Sequence, residues 1–143
     1  MLIKQLSVFL ENKSGRLAEI TAIIADAGID IRALSIADTT NFGILRLIVD
    51  KPDEAEQALK KAGLTVSLTK VIAIGIPDTP GGFASAMKCL SQAGIGIEYM
   101  YAFISRSEGR ACVILRAENN ESALATLEEN NIEILTDELI YSL

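Results

Sequence analysis

The sequence predicts an α+β protein made of two similar modules that follow one another in the chain. Two short motifs support this prediction, because each of them occurs twice with the same separation of 66 positions. The first motif runs from Asn12 to Ala18 and returns from Asp78 to Ala84. The second runs from Ala27 to Ile31 and returns from Ala93 to Ile97. A repeat of this length in only two copies is typical of paired domains and not of a solenoid.

The length and composition of the chain also favour paired domains. The chain has 143 residues, of which 50% are hydrophobic. A single module of roughly 70 residues buries only a marginal core, and it gains stability when it covers one face with its twin. We therefore expect two domains, residues 1–69 and 70–143, packed side by side as an intramolecular pseudo-dimer.

Each module begins with a strand and an amphipathic helix. Apolar and polar residues alternate in the strands, and the apolar positions are Leu6, Val8 and Leu10 in the first copy and Ile72, Ile74 and Ile76 in the second. Helical spacing follows, at Leu17, Ile20, Ile23, Ile24 and Ala27 in the first copy and at Phe83, Ala86, Met87, Leu90 and Ala93 in the second. We expect these helices to end at Gly28 and Gly94, because glycine commonly terminates helices.

A hairpin comes next in each module. In the first copy the two strands are separated by a polar turn at 39–43, and in the second by a turn at 106–109. Gly43 and Gly109 close these turns 66 positions apart, and we interpret them as equivalent.

A second helix and a short final strand complete each module. The predicted helices span Pro52–Ala62 and Asn119–Asn130, and the predicted strands span Leu64–Leu68 and Ile132–Leu135. The separation is 68 positions here, which predicts a two-residue insertion near the second helix of the second module.

The resulting βαββαβ order predicts a ferredoxin-like fold for each module. With right-handed crossovers, such a module forms an antiparallel sheet in the order 4-1-3-2, with both helices on one face. Strand 2 is then an unpaired edge, and pairing of the two edges predicts one continuous eight-stranded antiparallel sheet. No Pro/Gly linker interrupts Leu64–Ile76, so we expect the modules to pack rigidly.

Charge and composition argue against several functions. The net charge of −6 opposes binding to nucleic acid or to an acidic membrane surface. The sequence lacks a long apolar segment and a signal-peptide pattern, so we expect a cytoplasmic protein that does not bind membranes. The strands after each turn also lack the interleaved aromatic residues of an RNA-binding sheet.

Catalytic groups are difficult to place in this sequence. The chain contains no histidine, which excludes histidine-assisted nucleophiles and the commonest metal ligand. Cys89 and Cys112 are far apart in sequence, and we interpret them as small buried residues and not as a disulfide or a reactive thiol. We therefore expect no enzymatic activity, no metal and no cofactor.

The repeated motifs resemble those of the ACT domain, a small-molecule-sensing module of amino-acid metabolism. The resemblance rests on Asn/Asp-x-x-Gly-x-Leu/Phe-Ala after the first strand and on Ala-Gly-Ile-x-Ile before the next one. It covers nearly the whole chain twice. One departure is visible, because the proline usual in the motif is present as Pro80 but is replaced by Ser14 in the first copy. The resemblance implies a stand-alone regulatory protein that binds a free amino acid.

The first loop of each module is the candidate ligand site. A turn containing Gly15, or Gly81 and Gly82, exposes backbone N–H groups at a helix N-terminus, which favours a carboxylate. Asn12 or Asp78 is then placed to accept a hydrogen bond from a ligand ammonium group. The alternative is that both side chains only satisfy nearby backbone groups.

The resemblance further implies that ligands bind where two domains meet, between this loop of one domain and strand 2 of the other. One predicted site joins Asn12, Lys13, Ser14, Gly15, Arg16 and Leu17 with Gly96, Ile97 and Glu98. The other joins Asp78, Thr79, Pro80, Gly81, Gly82 and Phe83 with Asp30, Ile31 and Arg32. The first loop carries the cations Lys13 and Arg16 and the second the anion Asp78, so we expect one strong and one weak site.

Three functions follow as hypotheses. The first is a non-enzymatic sensor that binds a free amino acid and regulates amino-acid metabolism through an unidentified protein partner. The second is an assembly module without a ligand, and in either case the chain is compatible with a homo-oligomer. The third is an acylphosphatase-like hydrolase, for which Arg16 and Asn12 are the only loop candidates.

Overall fold

The structure is a computed structural model, which describes residues 1–11, 13–38, 41–103 and 109–142. These residues divide into two compact units. The first unit contains Lys4–Thr69 together with Ser142, and the second contains Lys70–Tyr141 together with Met1–Ile3. No helix in the described ranges is both long and apolar enough to span a membrane.

The first unit has the predicted order of elements. They are β1 (Ile3–Glu11), α1 (Arg16–Asp26), β2 (Ile31–Asp38), β3 (Phe42–Val49), α2 (Pro52–Lys61) and the first part of β4 (Thr65–Pro77). The strands lie in the order β4-β1-β3-β2, which is the predicted order 4-1-3-2. β3 is antiparallel to β1 and to β2, with Leu47 opposite Leu6 and Leu34.

Both helices of the first unit pack against one face of its sheet. The buried side chains on this face are Leu6, Val8, Leu45, Leu47 and Val49 from the strands and Ile20, Ile24, Ala55 and Leu59 from the helices. The strand residues are those that the alternation pattern selects, because every second side chain of a strand points to the same face. The placement of the helices is therefore confirmed for this unit.

The second unit repeats this arrangement. Its elements are the remainder of β4, α3 (Gly82–Gln92), β5 (Ile97–Ala102), β6 (Arg110–Ala117), α4 (Asn120–Glu129), β7 (Glu133–Ile134) and a terminal helix α5 (Asp137–Tyr141). The strand order is β7-β4-β6-β5, again 4-1-3-2. The core consists of Ile72, Ile74, Ile76, Leu90, Leu115, Ala123 and Leu127, among others. The α+β class is confirmed, whereas α5 was not predicted.

The continuous eight-stranded sheet is not confirmed. Seven strands are found in the described ranges, because the last strand of the first module and the first strand of the second are one strand, β4, of 13 residues. The segment from Leu64 to Ile74 contains neither glycine nor proline, so no turn-forming residue interrupts the extended backbone where the two modules join. Among the described pairings, β2 has β3 as its neighbour and β5 has β6, so the predicted pairing of the two edge strands is not seen.

The two-residue insertion lies in the hairpin of the second module. Leu34 faces Leu47 in the first unit, and Met100 faces Leu115 in the second. Leu34 and Met100 are 66 positions apart, but Leu47 and Leu115 are 68 apart. The insertion therefore falls between β5 and β6, and the prediction that placed it near the second helix was wrong.

The two turn glycines are consequently not equivalent. Gly43 is part of β3 and faces Leu10, whereas Ala111 takes the corresponding position opposite Ile76. Gly109 precedes β6 with φ +74°, in the left-handed region that favours glycine. The rest of the predicted turns, at 39–40 and 106–108, lies outside the described residues.

The second helices differ in how they begin. The Asn119 side chain caps α4, because its Oδ1 accepts a 3.0 Å hydrogen bond from the Ser122 N–H. Lys51 precedes α2 without a side-chain cap.

We expect Asn119→Ala to lower the free energy of unfolding by about 1 kcal/mol, the usual cost of losing such a cap. Lys51→Ala is the matched control and should change stability by less than about 0.5 kcal/mol. Urea denaturation measures both values, and equal losses would contradict the assigned cap.

Both cysteines are free and buried, as the sequence predicts. The Cys89 thiol donates a 3.1 Å hydrogen bond to the Ala86 carbonyl. Burial raises the pKa of the Cys112 thiol above its ordinary value, which disfavours the nucleophilic thiolate.

Candidate functional site

The loop between β4 and α3 is held in a tight turn by two glycines. Gly81 precedes the helix with φ +89°, a conformation that other residues rarely adopt. A Cβ atom on Gly82 would lie 2.2 Å from the carbonyl oxygen of Pro77. The Gly82 N–H donates to the Thr79 carbonyl at 3.0 Å, and the Ser85 N–H donates to the Gly81 carbonyl at the same distance. Only glycine fits at position 82 without movement of the backbone.

This turn leaves backbone donors at the start of α3. The first amides of an α-helix have no carbonyl one turn earlier to accept their hydrogen bonds. In α3 this applies to Phe83 and Ala84, which follow the two glycines. The aligned peptide dipoles add a partial positive charge at this end of the helix, so the position favours an anionic group.

A cavity of about 290 Å³ lies beside this turn within the second unit. Three predicted site residues line it, namely Asp78, Thr79 and Phe83. The other lining residues come from the strands and are Ile76, Pro77, Met100, Tyr101, Ala102, Ala111 and Val113. The cavity therefore has a polar mouth at the loop and a mostly apolar wall.

Asp78 is exposed and lies at the mouth of this cavity. The Asp78 N–H donates a 3.1 Å hydrogen bond to the Gly109 carbonyl, which fixes the backbone of the residue. In the described part of the chain, the carboxylate has neither a hydrogen-bond partner nor an ion-pair partner. The alternative prediction, that this side chain satisfies the start of the helix, is therefore not what the structure shows.

The first loop has a different arrangement of charge. Lys13 Nζ lies 2.7 Å from Glu11 Oε2, and Arg16 Nη1 lies 3.2 Å from Glu19 Oε2. The hydrogen bond and the charge of the Lys13 ammonium lower the pKa of Glu11 below its ordinary value. Both cations of this loop thus have a neighbouring carboxylate, which reduces their attraction for an anion.

The backbone of the first loop still resembles that of the second. Gly15 has φ +85° and precedes α1 without a side-chain cap. Arg16 corresponds to Gly82 and is the first residue of α1. Ser14 and Leu17 are exposed, and Asn12 lies outside the described residues.

The predicted residues at the start of β2 take part in local structure. Arg32 Nη1 lies 2.5 Å from Asp30 Oδ2, and the Asp30 N–H donates a 2.9 Å hydrogen bond to Asp50 Oδ1. Ile31 pairs with Val49 and packs against the core of the first unit. Each of the three residues therefore has contacts within its own unit.

The predicted residues at the start of β5 are also engaged in their own unit. The Gly96 carbonyl accepts a 3.0 Å hydrogen bond from the Glu118 N–H, and Ile97 packs against the core. Arg116 Nε lies 3.4 Å from Glu98 Oε2. Gly96 and Glu118 also line a separate cavity of about 330 Å³.

Three of the predicted site residues therefore lie on the loop side of the cavity, whereas its wall comes from strand residues that were not among the predicted site residues. Met100, Ala102 and Val113 contribute to the wall, but none of them stands out in the sequence. A comparison of the two copies could have indicated the wall residues, because Ala102 and Val113 correspond to the larger residues Ile36 and Leu45.

Among the described residues, no group of three or more His, Cys, Asp or Glu side chains is arranged to hold a metal.

Solved structures of other proteins share this fold. A protein from Bacteroides thetaiotaomicron is 42% identical, with a TM-score of 0.93, and the match covers 100% of this chain and 98% of that one. The ligand-free regulatory subunit of aspartate kinase from Thermus thermophilus is 22% identical, with a TM-score of 0.62, over 88% and 91% of the two chains. The corresponding subunit from Thermus flavus is 21% identical, with a TM-score of 0.60, over 90% and 94%. No match was found among curated proteins.

The family model of the ACT domain pair matches residues 1–143. The sequence motifs, the strand order of each unit and the Bacteroides relative agree with this match. The chain belongs to the family of ACT domain pairs.

Proposed function

We propose that this protein is a non-enzymatic regulator that binds a free amino acid and passes the signal to a protein partner. The observation that carries this proposal is the position of the Asp78 carboxylate beside the α3 N-terminus and the cavity, without a side-chain partner among the described residues. Membership of the ACT domain pair family supports it. The names of the two Thermus relatives also describe regulatory subunits, although their low identity supports the fold alone.

In the proposed complex, each part of the amino acid meets a matching group. The α-carboxylate accepts hydrogen bonds from the Phe83 and Ala84 amides at the positive end of α3. The ammonium group donates to the Asp78 carboxylate, and this charge-assisted bond is stronger than a bond to a neutral amide. The side chain enters the cavity.

Regulation follows from linkage between ligand binding and conformation. A ligand shifts an equilibrium only by its difference in affinity for the two states, and typical effectors supply about 1–3 kcal/mol of coupling. The predicted pairing of each loop with the β2 or β5 strand of the other module remains part of this proposal.

Asp78→Ala tests the proposed site. We expect it to lower amino-acid affinity at least about tenfold, because a hydrogen bond to a charged group contributes roughly 1.5–3 kcal/mol. The fold should be unaffected, since the substitution keeps the backbone hydrogen bond to Gly109. Isothermal titration calorimetry measures the affinity after a thermal-shift screen of the twenty amino acids has identified the ligand.

Asn12→Ala is the control in the other loop. We expect a smaller loss, because a neutral amide forms a weaker bond with an ammonium group. Equal losses in the two variants would contradict the asymmetry between the loops. Unchanged affinity in Asp78→Ala would place the site elsewhere, and no binding by any amino acid would contradict the sensor proposal.

One observation favours the alternative of an assembly module. Phe9 and Phe42 are 48% and 63% exposed, and both line a pocket of about 250 Å³ in the first unit. Exposed aromatic side chains are common at protein interfaces. Size-exclusion chromatography distinguishes the two functions, because an assembly module forms the same oligomer with and without amino acids.

A further inference from the structure

The wall of the Asp78 cavity is suited to one chemical class of side chain. Ile76, Phe83, Met100 and Val113 supply apolar atoms to this wall. Among the residues that the structure describes, the wall contains neither lysine nor arginine nor an amide side chain, and the one carboxylate, that of Asp78, is at the mouth. Besides Asp78, the polar side chains that line it are those of Thr79 and Tyr101. A charged side chain of a ligand would lose its hydration there without gaining an oppositely charged partner on the apolar wall, which is unfavourable.

The volume of the cavity is compatible with a small ligand. At about 290 Å³ it lies just below the range of small-molecule sites, roughly 300–1,000 Å³. This space suits the side chain of one amino acid.

The first module shows which residues create this space. Ala102 and Val113 correspond to Ile36 and Leu45, which carry more side-chain atoms. Leu45 is fully buried in the core of the first unit. Ala102 and Val113 therefore take up less space beside the cavity than Ile36 and Leu45 would at the same positions.

We infer that the ligand of this site is an amino acid with an apolar side chain of intermediate size, such as leucine, isoleucine or methionine. This inference rests on the proposed function, because it takes the α-carboxylate and the ammonium group to be held at the loop. Apolar contact with the wall selects the side chain, since burial of apolar surface is favourable and requires no polar partner.

Calorimetry on the full chain tests the ligand class. We expect leucine, isoleucine or methionine to bind at least about tenfold more tightly than lysine, aspartate or threonine. Tightest binding by one of these three polar amino acids would overturn the inference and leave the sensor proposal standing. Absence of binding by all twenty amino acids would overturn both.

Ala102→Ile tests the cavity itself by introducing the residue that the first module has at this position. Leucine affinity should fall at least about tenfold, whereas alanine, whose side chain needs little space, should bind within about twofold of its original affinity. Ala125→Ile, on the exposed side of α4, is the control and should leave leucine affinity unchanged. Val113→Leu is a second filling variant with the same expectation.

Circular dichroism of these variants establishes that they are folded before affinities are compared. Equal losses for leucine and alanine in both filling variants would show that the cavity does not hold the side chain. Unchanged leucine affinity in both would overturn the inference as well.

Discussion

Leu115→Ala is expected to lower the free energy of unfolding by about 3 kcal/mol, the middle of the range for such truncations in a protein core. Leu115 is fully buried, faces Ile72 across the β4–β6 ladder and belongs to the core of the second unit. Removing its side chain loses apolar burial and leaves a space that neighbouring groups fill only partly. Urea denaturation, followed by circular dichroism, measures the loss.

The repeat supplies a matched variant for the first unit. Leu47 occupies the equivalent position, is also fully buried and faces Leu6. Leu47→Ala should therefore lower the free energy of unfolding by a similar amount. Hydrogen exchange should show the largest loss of protection in the first unit for this variant and in the second unit for Leu115→Ala. Glu121→Ala, on the exposed side of α4, should change stability by less than about 0.5 kcal/mol. A loss below about 1 kcal/mol in both leucine variants would contradict the assigned core positions.

Gly82→Ala is expected to be the most disruptive single change in the candidate site. The added Cβ would lie 2.2 Å from the Pro77 carbonyl oxygen, so the backbone of β4 or α3 has to move. Forcing one extra carbon into a closely packed position usually costs about 1–3 kcal/mol. The movement also displaces Asp78 and the first amides of α3, so amino-acid binding should weaken together with stability.

Arg16→Ala is the matched variant, because Arg16 already carries a Cβ at the equivalent position of the first loop. It removes only the exposed ion pair with Glu19, which typically contributes less than about 1 kcal/mol. Thermal unfolding and leucine titration of both variants give the comparison. A Gly82→Ala protein as stable as Arg16→Ala would show that the turn adapts without cost.

The sequence predicted the order of elements because the pattern is local and occurs twice. Alternation at Leu6, Val8 and Leu10 identifies a strand, and their counterparts in the second copy support the same assignment. The insertion was misplaced because Gly43 and Gly109 were matched by residue type, whereas strand register depends on cross-strand contacts that sequence does not display. α5 has only five residues, too few for a helical period to be visible.

The candidate site was predicted only where a motif marks it. Asp78 and Phe83 belong to a repeated motif with glycines, so chemical reasoning applies to them directly. The cavity wall comes from strands that are distant in sequence, and a cavity depends on how neighbouring side chains fill space in three dimensions. Ala102 and Val113 are ordinary strand residues until they are compared with Ile36 and Leu45.

The first three residues of the chain belong to the second unit, although the first unit begins directly after them. Leu2 packs against the core of the second unit, and Ile3 is only 1% exposed. A cut between Thr69 and Lys70 would therefore not yield two self-sufficient halves, because the N-terminal fragment would retain a piece of its neighbour's core. The C-terminal fragment would correspondingly lack Leu2, whose side chain packs against its core in the intact chain.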